Sequence, residues 1–353
     1  MAKYDTSTLN DLAITNSEWM QKSAALRIAV LIPCYNEELT VARVVQDFRQ
    51  ELPAAAIYVY DNNSTDRTIE VARAAGAIIR REMRQGKGFV VQRMFQEIDA
   101  DIYIMVDGDG TYDARDVQRL LLPVLAGEAD TVVGSRLHGE SSSEFKALNR
   151  FGNKLFLTAL NSTFKTHLTD ILSGYRVFNR RFVKGIALFG GGFEIETELT
   201  IKALQRGYQV VEVSTNLSPR PEGSFSKINY FRDSRLILGT ILRLFRDYKP
   251  LTFFGIIGLM LTLLSLFPGI IVIVEFIETG LVPRLPSAVL AVGLMLTGML
   301  SLTVGLVLHT ITRRSQEFDH YLQTLADEIS GIKEIKHSSN QRQTASEKLP
   351  NRL

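Results

Sequence analysis

The sequence predicts an α/β domain with a mostly parallel sheet, followed by two membrane-spanning helices. Short apolar runs alternate with helical stretches from residue 27 to residue 134, and polar clusters follow three of these runs. Two long uncharged stretches lie nearer the C-terminus. Strands that alternate with helices of roughly 10–15 residues are typical of βαβ units. Because ligands of such sheets bind beyond the carboxyl ends of the strands, the polar clusters mark the expected site.

The predicted elements follow one another closely along the chain. Val41, Val44 and Phe48 recur at three- and four-residue spacing, which is the period of an amphipathic helix. The polar turn at 61–64 supplies capping side chains ahead of the next helix. The predicted strands are 27–33, 56–60, 77–80, 102–106 and 131–134. The predicted helices are 39–52, 65–75, 88–98, 116–126 and 196–205.

The composition is that of a globular chain with nearly balanced charge. Hydrophobic residues make up 46% of the 353 residues, enough for a sizeable core in one large domain or two smaller ones. The net charge of +2 gives no sign of nucleic-acid binding. The single cysteine, Cys34, excludes an intrachain disulfide and is typical of a reducing compartment. Residues 1–25 contain Asp5, Asp11 and Glu18 and no apolar run, so they predict a polar arm rather than a cleavable signal peptide.

Two stretches near the C-terminus predict membrane spans. Residues 251–273 contain no charged side chain, and residues 286–312 contain none unless His309 is protonated. Each exceeds the ~20 apolar residues needed to cross a bilayer core of ~30 Å. Gly293 and Gly298 predict close packing of one helix on the other. A pair of buried core helices is the alternative interpretation.

Basic residues set the predicted orientation of the spans. The loop between them contains Glu275, Glu278 and a single basic residue, Arg284. The positive-inside rule therefore places both flanks in the cytoplasm and the short loop outside, as in a multi-pass protein of the cell inner (plasma) membrane. The basic residues of the flanks are Lys227, Arg232, Arg235, Arg243, Arg246, Lys249, Arg313 and Arg314.

Two further helices are predicted beside the spans. Residues 230–248 interleave apolar side chains with four arginines at helical spacing, which indicates an amphipathic helix lying on anionic headgroups. The alternative is an ordinary helix packed on the preceding domain. Residues 318–335 predict a polar helix, and the end of the chain, rich in Ser, Asn and Gln, is predicted to be disordered.

The acidic motif Asp107-Gly108-Asp109 directly follows the apolar strand at 102–106. Two carboxylates around a glycine suit a hard divalent cation, Mg²⁺ or Mn²⁺, which keeps waters and binds phosphate oxygens. The motif therefore predicts a nucleoside diphosphate substrate. The alternative is a solvated turn, because Asp and Gly also favour turns.

Polar and glycine-containing motifs recur in a fixed order along the chain. The first five are Pro33-x-Tyr35-Asn36-Glu37, Asp61-Asn62-Asn63-Ser64-Thr65-Asp66, Gly86-Lys87-Gly88, Asp107-x-Asp109 and Gly134-Ser135-Arg136. Two later motifs are Asp170-x-x-Ser173-Gly174-Tyr175-Arg176 and Gly223-Ser224-Phe225-Ser226-Lys227. In this order the motifs resemble glycosyltransferase family 2, over about residues 26–312. The two later motifs and the two-span hairpin resemble its subgroup of polyprenyl- and dolichol-phosphate sugar synthases, which includes dolichol-phosphate mannose synthase. The sequence reads Gly-Thr-Tyr after Asp109, where many relatives have a Gln and then a Pro.

The resemblance implies a GT-A fold, which is a Rossmann-like α/β domain with a mostly parallel sheet. Together with the membrane prediction, it gives a domain plan for the whole chain. The plan is a polar arm at 1–25, a GT-A catalytic domain at 26–228, an amphipathic interfacial helix at 229–249, two transmembrane helices within 250–312 (about 251–275 and 286–312), and a cytoplasmic helix with a disordered tail at 313–353.

The resemblance also implies a role for each motif residue. Asp109 is the expected direct ligand of Mg²⁺ or Mn²⁺, and Asp107 is expected to contact the metal or the ribose. Lys87 lies in a loop where backbone and ammonium both approach phosphate, unless the loop is a flexible surface turn. The expected catalytic residues are Asp107, Asp109, Arg136 and Arg220. The expected nucleotide-sugar-binding residues are Pro33, Tyr35, Asn36, Glu37, Asp61, Asn63, Lys87, Asp107 and Gly108.

The chemistry of the acceptor separates two enzymatic hypotheses. A lipid phosphate is already an anion near neutral pH, so it needs cations rather than a general base, and arginine forks match phosphate oxygens. For each arginine the alternative is a surface salt bridge. A hydroxyl acceptor needs a base, for which Glu194 and Glu196 are candidates unless they cap or begin the helix. The candidate acceptor-phosphate-binding residues are Arg136, Arg150, Arg176, Arg220, Ser226 and Lys227.

The leading hypothesis is a metal-dependent, inverting transferase that moves a hexose from a UDP-sugar, or from GDP-mannose, to a polyprenyl phosphate at the cytoplasmic membrane face. A metal and nearby cations stabilise the charge that develops on the departing diphosphate. The alternatives are a membrane-bound glycosyltransferase acting on a lipid or glycan hydroxyl, and a non-catalytic membrane scaffold. The expected partners are the nucleotide-sugar, the lipid phosphate and the membrane, and the sequence permits a homo-oligomer without specifying one.

Overall fold

The chain forms two compact units in the computed structural model, Met1–Ile241 and Leu242–Leu353. The first unit holds the sheet with its helices, and the second holds two long helices. The structure describes residues 3–4, 26–136, 157–158, 160–162, 164–192, 195–218, 239, 245–247 and 249–346.

The elements of the first unit alternate as the sequence predicts. All five predicted strands and all five predicted helices are present, with ends that shift by at most three residues. The strands are β1 (Lys3–Tyr4), β2 (Ile28–Cys34), β3 (Ala56–Asp61), β4 (Ile78–Arg81), β5 (Ile102–Met105), β6 (Thr131–Ser135), β7 (Arg176–Asn179) and β8 (Val210–Ser214). The helices are α1 (Val41–Glu51), α2 (Thr68–Ala74), α3 (Lys87–Glu97), α4 (Val117–Leu125), α5 (Arg180–Gly185) and α6 (Ile195–Gln205).

The described strands form one sheet in the order β1-β8-β6-β7-β5-β2-β3-β4. β7 runs antiparallel to β5 and β6, and every other neighbouring pair is parallel. The mostly parallel sheet is therefore confirmed. Cys34 pairs with Asp61 and Leu31 pairs with Met105, so β2, β3 and β5 end at the same edge of the sheet. The polar clusters that follow these three strands consequently lie side by side.

Burial on both faces explains why the central strands are apolar throughout. All four side chains of β5 are buried. The apolar side chains on one side of α1 are buried as well. Helices cover both faces of a parallel sheet, so neither face can be polar. Each buried aliphatic or aromatic side chain contributes about 1.5–3 kcal/mol, which fixes the strands that position the site.

The second unit consists of α7 (Pro250–Thr279) and α8 (Leu285–Ser346). Stretches of 30 and 31 residues, Pro250–Thr279 and Leu285–Ser315, are long and apolar enough to cross a membrane. Only 11% and 17% of their most apolar windows are buried. This exposure contradicts the alternative of two buried core helices.

Glycines bring α7 and α8 into close contact. A Cβ at Gly258 would lie 2.7 Å from the carbonyl oxygen of Gly298. The Ser301 hydroxyl donates to the carbonyl of Phe254 at 2.9 Å. The close packing predicted at Gly298 is thus confirmed. The packing predicted at Gly293 is wrong, because a Cβ there would have nothing within 4 Å.

α8 continues without a break from its apolar stretch to Ser346. The polar helix predicted at 318–335 is therefore part of a longer helix, and the predicted disordered end is helical as far as it is described. No proline occurs between Pro286 and Pro350, so the backbone has no obligatory break. The interfacial helix predicted at 229–249 lies mostly outside the described residues and stays a prediction.

Candidate functional site

Hydrogen bonds join the loops that follow β2 and β3. Asn36 adopts a left-handed backbone with φ 53°, which asparagine tolerates. Its N–H donates to Ser64 Oγ at 2.9 Å, and its side-chain oxygen accepts from the Thr65 N–H at 2.7 Å. Asp61 is fully buried and accepts from the Ser64 N–H at 3.3 Å. The two motifs thus form one wall of the candidate site.

Gly108 brings the acidic motif against the end of β2. A Cβ at Gly108 would lie 2.5 Å from Cys34 Sγ, and the Gly108 carbonyl accepts from the Thr40 hydroxyl at 2.7 Å. Asp109 is 8% exposed, and its Oδ1 accepts from the Thr111 N–H at 3.1 Å and hydroxyl at 2.7 Å. The acidic motif is therefore held at the strand end rather than in a freely solvated turn.

Lys87 lies between two carboxylates. Its Nζ is 2.5 Å from Asp107 Oδ1 and 2.5 Å from Glu196 Oε1. The Lys87 side chain is only 11% exposed. Burial lowers the pKa of Lys87, but the charges of Asp107 and Glu196 outweigh burial and raise the pKa above its usual value. Lys87 is thus a charged, fixed group, and the alternative of a flexible surface turn is wrong.

The backbones of two glycine-rich segments are in close contact on either side of Lys87. A Cβ at Gly86 would lie 2.0 Å from the carbonyl oxygen of Gly191, and a Cβ at Gly88 would lie 2.1 Å from that of Gly190. The Gly88 N–H donates to the Gly191 carbonyl at 3.2 Å. Glu198 holds the same loop, because its carboxylate accepts from the Gly190 N–H at 2.7 Å. The fold therefore fixes the backbone on both sides of Lys87.

Arg136 is held by a buried acid. Its Nε and Nη2 donate to the two carboxylate oxygens of Asp170 at 2.7 and 3.0 Å. Burial raises the pKa of Asp170, but the Arg136 charge outweighs burial and the net pKa is below its usual value. Glu212 on β8 in turn accepts from the backbone N–H groups of Thr169 and Asp170 at 2.8 and 3.0 Å. A chain of contacts from β8 thus positions the Arg136 guanidinium.

Tyr112 links the acidic motif to this arginine. The backbone N–H of Gly174 donates to the Tyr112 hydroxyl at 3.0 Å, and Ser173 Oγ lies 3.2 Å from the same oxygen. Burial raises the pKa of Tyr112, while Arg136 lowers it and Asp107 raises it further. A Cβ at Gly174 would lie 2.4 Å from Asp107 Oδ2. The structure therefore places Lys87, Asp107, Tyr112 and Arg136 in one polar cluster.

Arg176 requires a correction. It is 1% exposed, and its three guanidinium nitrogens donate to the carbonyls of Ser173 and Ile171 at 2.8 and 2.7 Å and to Thr200 Oγ1 at 2.9 Å. Burial lowers its pKa to about 10, against the raising effect of Glu196. With all three nitrogens hydrogen-bonded to these partners, the guanidinium of Arg176 fixes the 171–173 loop to α6. This position contradicts the prediction that Arg176 binds an acceptor phosphate.

The remaining predicted residues divide into two groups. Pro33 is the sixth residue of β2, Tyr35 beyond it is 39% exposed, and the Glu37 N–H donates to Thr68 Oγ1 at 2.8 Å. The Asn63 side chain donates to the Met83 carbonyl at 2.9 Å. These residues lie at the same edge of the sheet as Asp61. The others lie outside the described residues, namely Arg150, Glu194, Arg220, Ser226 and Lys227.

The sequence motifs do not reveal Tyr112, Glu212 or the loop that covers Lys87. For the loop, the sequence contains a signal in the run Gly190-Gly191-Gly192, because three consecutive glycines indicate a close backbone approach. The partner of that approach, Gly86-Lys87-Gly88, lies about a hundred residues earlier, so only the fold shows that the two segments meet.

The strand-end carboxylates suit a divalent cation. The ammonium of Lys87, a cationic group, already lies against Asp107 Oδ1. The described residues contain no group of three or more His, Cys, Asp and Glu side chains suited to a metal ion. Mg²⁺ is commonly held by one or two carboxylates together with substrate phosphates and waters. Two carboxylates are thus enough for such an ion, and Asp107 and Asp109 are the candidates that the acidic motif offers.

Comparison with known proteins identifies the family. The model of glycosyl transferase family 2 matches residues 29–186, which run from β2 to the end of α5. Glycosyltransferase AglJ of Haloferax volcanii is 34% identical over 281 residues, covering 78% of this chain and 92% of AglJ. The chain belongs to glycosyl transferase family 2. Membership confirms the resemblance carried by the motifs, and this family 2 protein is a glycosyltransferase.

Two further similarities concern the subgroup and the fold. The dolichyl-phosphate hexose transferase of H. volcanii is 28% identical over 186 residues, covering 53% of this chain and 80% of that protein. Glucosyl-3-phosphoglycerate synthase of Mycobacterium tuberculosis, in a crystal structure with Mn²⁺, UDP-glucose and phosphoglyceric acid, has a TM-score of 0.52 at 22% identity. The similarity covers 65% of this chain and 83% of that chain. It confirms the predicted GT-A fold.

Proposed function

We propose that this family 2 glycosyltransferase moves a hexose from a nucleoside diphosphate sugar, preferably a UDP-sugar, to a polyprenyl phosphate at the cytoplasmic face of the plasma membrane. The observation that carries the proposal is the presence of two fixed cations in one cluster. Lys87 lies beside the acidic motif, and Arg136, bound to Asp170, lies within electrostatic reach of Asp107. One cation suits the departing diphosphate, and the other suits an anionic acceptor.

The donor side is built from the ends of β2, β3 and β5. The partly exposed Tyr35 lines the wall where base and ribose are expected, and the buried carboxylate of Asp61 lies behind it and holds the Ser64 N–H. A divalent cation held by Asp107 and Asp109 would neutralise charge on the diphosphate. Lys87, kept charged by its two carboxylates, supplies a second positive group for the same phosphates. The M. tuberculosis structure of the same fold, which was solved with Mn²⁺ and UDP-glucose, supports this assignment of the donor side.

The acceptor side favours a phosphate over a hydroxyl. The pair with Asp170 uses Nε and Nη2 of Arg136, and Nη1 has no hydrogen-bond partner among the described residues. A hydroxyl acceptor would need a general base, for which Glu196 is one of the two candidates in the sequence. Its carboxylate is 5% exposed and lies 2.5 Å from the Lys87 ammonium, so it is committed to an ion pair. Transfer to a hydroxyl stays as the second candidate through Glu194, which is outside the described residues.

The proposed reaction is a single displacement with inversion. A lipid phosphate oxygen attacks the anomeric carbon from the face opposite the diphosphate. The new bond from carbon to oxygen forms as the bond to the β-phosphate oxygen breaks, and the nucleoside diphosphate leaves with the electron pair. Lys87 stabilises the charge that develops on that oxygen, and Arg136 orients the attacking phosphate. Neither substrate gives up a proton, so the site needs no base.

The apolar helices suit a membrane location. Large apolar side chains of α7 and α8 are exposed, including Met260 at 66%, Phe267 at 73% and Leu290 at 56%. Exposed apolar surface on this scale marks contact with a membrane or a partner. Anchoring by both helices would hold the glycosyltransferase where polyprenyl phosphates reside, and the dolichyl-phosphate hexose transferase of H. volcanii supports the lipid acceptor.

A transfer assay tests the proposal. Purified full-length protein is incubated with undecaprenyl phosphate, Mn²⁺ or Mg²⁺, and a panel of radiolabelled UDP- and GDP-sugars. Label is expected to move into the organic phase with one donor, and EDTA is expected to abolish that transfer. Metal-dependent donor binding without label on undecaprenyl phosphate would favour the second candidate, transfer to a hydroxyl. The absence of any metal-dependent donor binding would favour the scaffold.

Glu212→Gln is expected to raise the KM for undecaprenyl phosphate by about tenfold and to leave the KM for the donor nearly unchanged. Glu212 holds the backbone of Thr169 and Asp170, and therefore the position of Arg136, without belonging to the donor wall. Steady-state kinetics with each substrate varied in turn measure both values. Glu70→Gln, at an exposed position on α2, is the matched control. A rise in donor KM equal to the rise in acceptor KM would contradict this role.

A further inference from the structure

The ammonium of Lys87 lies against the carboxylate of Asp107, which is one of the two proposed metal ligands. Nζ lies 2.5 Å from Asp107 Oδ1. A Mg²⁺ ion bound to the same oxygen would lie about 2.0–2.1 Å from it. Like charges this close together repel, and both cations draw on the same negative charge. Lys87 and a metal ion therefore compete for the Asp107 carboxylate.

Glu196 can keep its ion pair with the Lys87 ammonium after the contact with Asp107 is lost. Its Oε1 lies 2.5 Å from Nζ, and the side chain is 5% exposed in the first turn of α6. The backbone on both sides of Lys87 is fixed by Gly86 and Gly88 against the 190–191 loop. Loss of the contact with Asp107 would therefore leave the ammonium beside Glu196, a short side-chain rotation away from the acidic motif.

We propose that Lys87 and a divalent cation exchange at Asp107, and that Glu196 is the positioning residue that retains the ammonium after the exchange. The inference rests on the proposed function, which supplies the metal and the diphosphate. Without nucleotide, Lys87 competes with the metal for a carboxylate and repels it. With a diphosphate bound, the same ammonium neutralises phosphate charge and favours the metal. Lys87 consequently lowers the metal affinity without nucleotide and raises it with nucleotide bound, so its effect changes sign.

Electron paramagnetic resonance of Mn²⁺ measures this change of sign directly. Free and bound Mn²⁺ are titrated with full-length wild type and Lys87→Gln, first alone and then with the nucleoside diphosphate that wild type binds, UDP or GDP. Without nucleotide, Lys87→Gln is expected to bind Mn²⁺ at least about tenfold more tightly than wild type, because a neighbouring like charge is gone. With nucleotide, it is expected to bind Mn²⁺ more weakly than wild type.

Lys202→Gln is the matched control. Lys202 is 10% exposed and pairs with Glu198 at 2.6 Å, so the change removes an equally buried lysine that is paired away from the acidic motif. Its Mn²⁺ affinity is expected to equal that of wild type in both conditions. Glu196→Gln is expected to weaken Mn²⁺ binding without nucleotide, because it leaves the ammonium with Asp107 alone. Lys87→Arg keeps the charge and is expected to bind Mn²⁺ without nucleotide as wild type does.

Three results would overturn the exchange while leaving the proposed reaction in place. They are equal Mn²⁺ affinity of Lys87→Gln and wild type without nucleotide, a change in the same direction in both conditions, and a Glu196→Gln protein with wild-type affinity without nucleotide. The last comparison decides the matter if thermal unfolding shows that Lys87→Gln does not fold. Transfer that survives EDTA would instead remove the metal from the proposed function, which the Mn²⁺ titration alone does not test.

Discussion

Asp109→Asn is expected to reduce sugar transfer by about 10²–10³-fold with little change in stability. The asparagine keeps an oxygen that accepts from the N–H and hydroxyl of Thr111, so the fold of the strand end survives. What is lost is a negative charge at the position proposed to hold the metal. The turnover number with saturating donor and undecaprenyl phosphate measures the effect, and thermal unfolding checks the fold.

Asp113→Asn is the control for Asp109→Asn. Asp113 follows four residues later and pairs with the exposed Arg115 at 2.6 Å. Such a surface ion pair contributes about 0–1 kcal/mol, so activity and stability are expected to stay near wild type. An Asp109→Asn protein that keeps a tenth or more of wild-type activity would mean that Asp109 is not a metal ligand in the reaction.

The donor side of the site is predictable from sequence because its residues follow apolar strands. Periodicity locates β2, β3 and β5, and parallel pairing then brings Asn36, Asp61 and Asp107 to one edge without further information. The register of these strands is determined locally, by the side chains that each strand buries. For this reason the motifs predict the wall of the site and its chemistry, although not the partners of each side chain.

The acceptor side depends on contacts between distant segments, which periodicity does not encode. Arg136 lies in a family motif and Arg176 in a subgroup motif, and the sequence offers both as candidates for binding the acceptor phosphate. Arg136 keeps 32% of its side chain exposed beside a single carboxylate, whereas Arg176 is buried against carbonyls and a hydroxyl. The difference arises because β7 is antiparallel and places Arg176 at the start of a central strand. That strand has only four residues, too few for its pattern to reveal it.

Gly88→Ala is expected to destabilise the glycosyltransferase by about 1–3 kcal/mol and to lower its activity as well. Gly88 lies in the first turn of α3, where alanine would ordinarily stabilise a helix by about 1 kcal/mol. Here the new Cβ would lie 2.1 Å from the Gly190 carbonyl oxygen and 2.7 Å from its carbon. Backbone atoms cannot rotate away as a flexible side chain can, so the 190–191 loop must move off α3. That movement removes the contact that fixes the backbone beside Lys87.

The expected result for Gly88→Ala is a thermal unfolding midpoint lower by about 4–8 °C. Activity should fall further than the loss of folded protein explains, because the ammonium of Lys87 depends on the contact of the two loops for its position. Gly255→Ala provides the comparison, since Gly255 is helical in α7 and a Cβ there would meet nothing within 4 Å. Alanine at that position is expected to leave both measurements near wild type. A Gly88→Ala protein with the same unfolding midpoint and activity as Gly255→Ala would contradict this expectation. It would show that the 190–191 loop can move without loss of stability, and that the contact between the two glycine segments does not position Lys87.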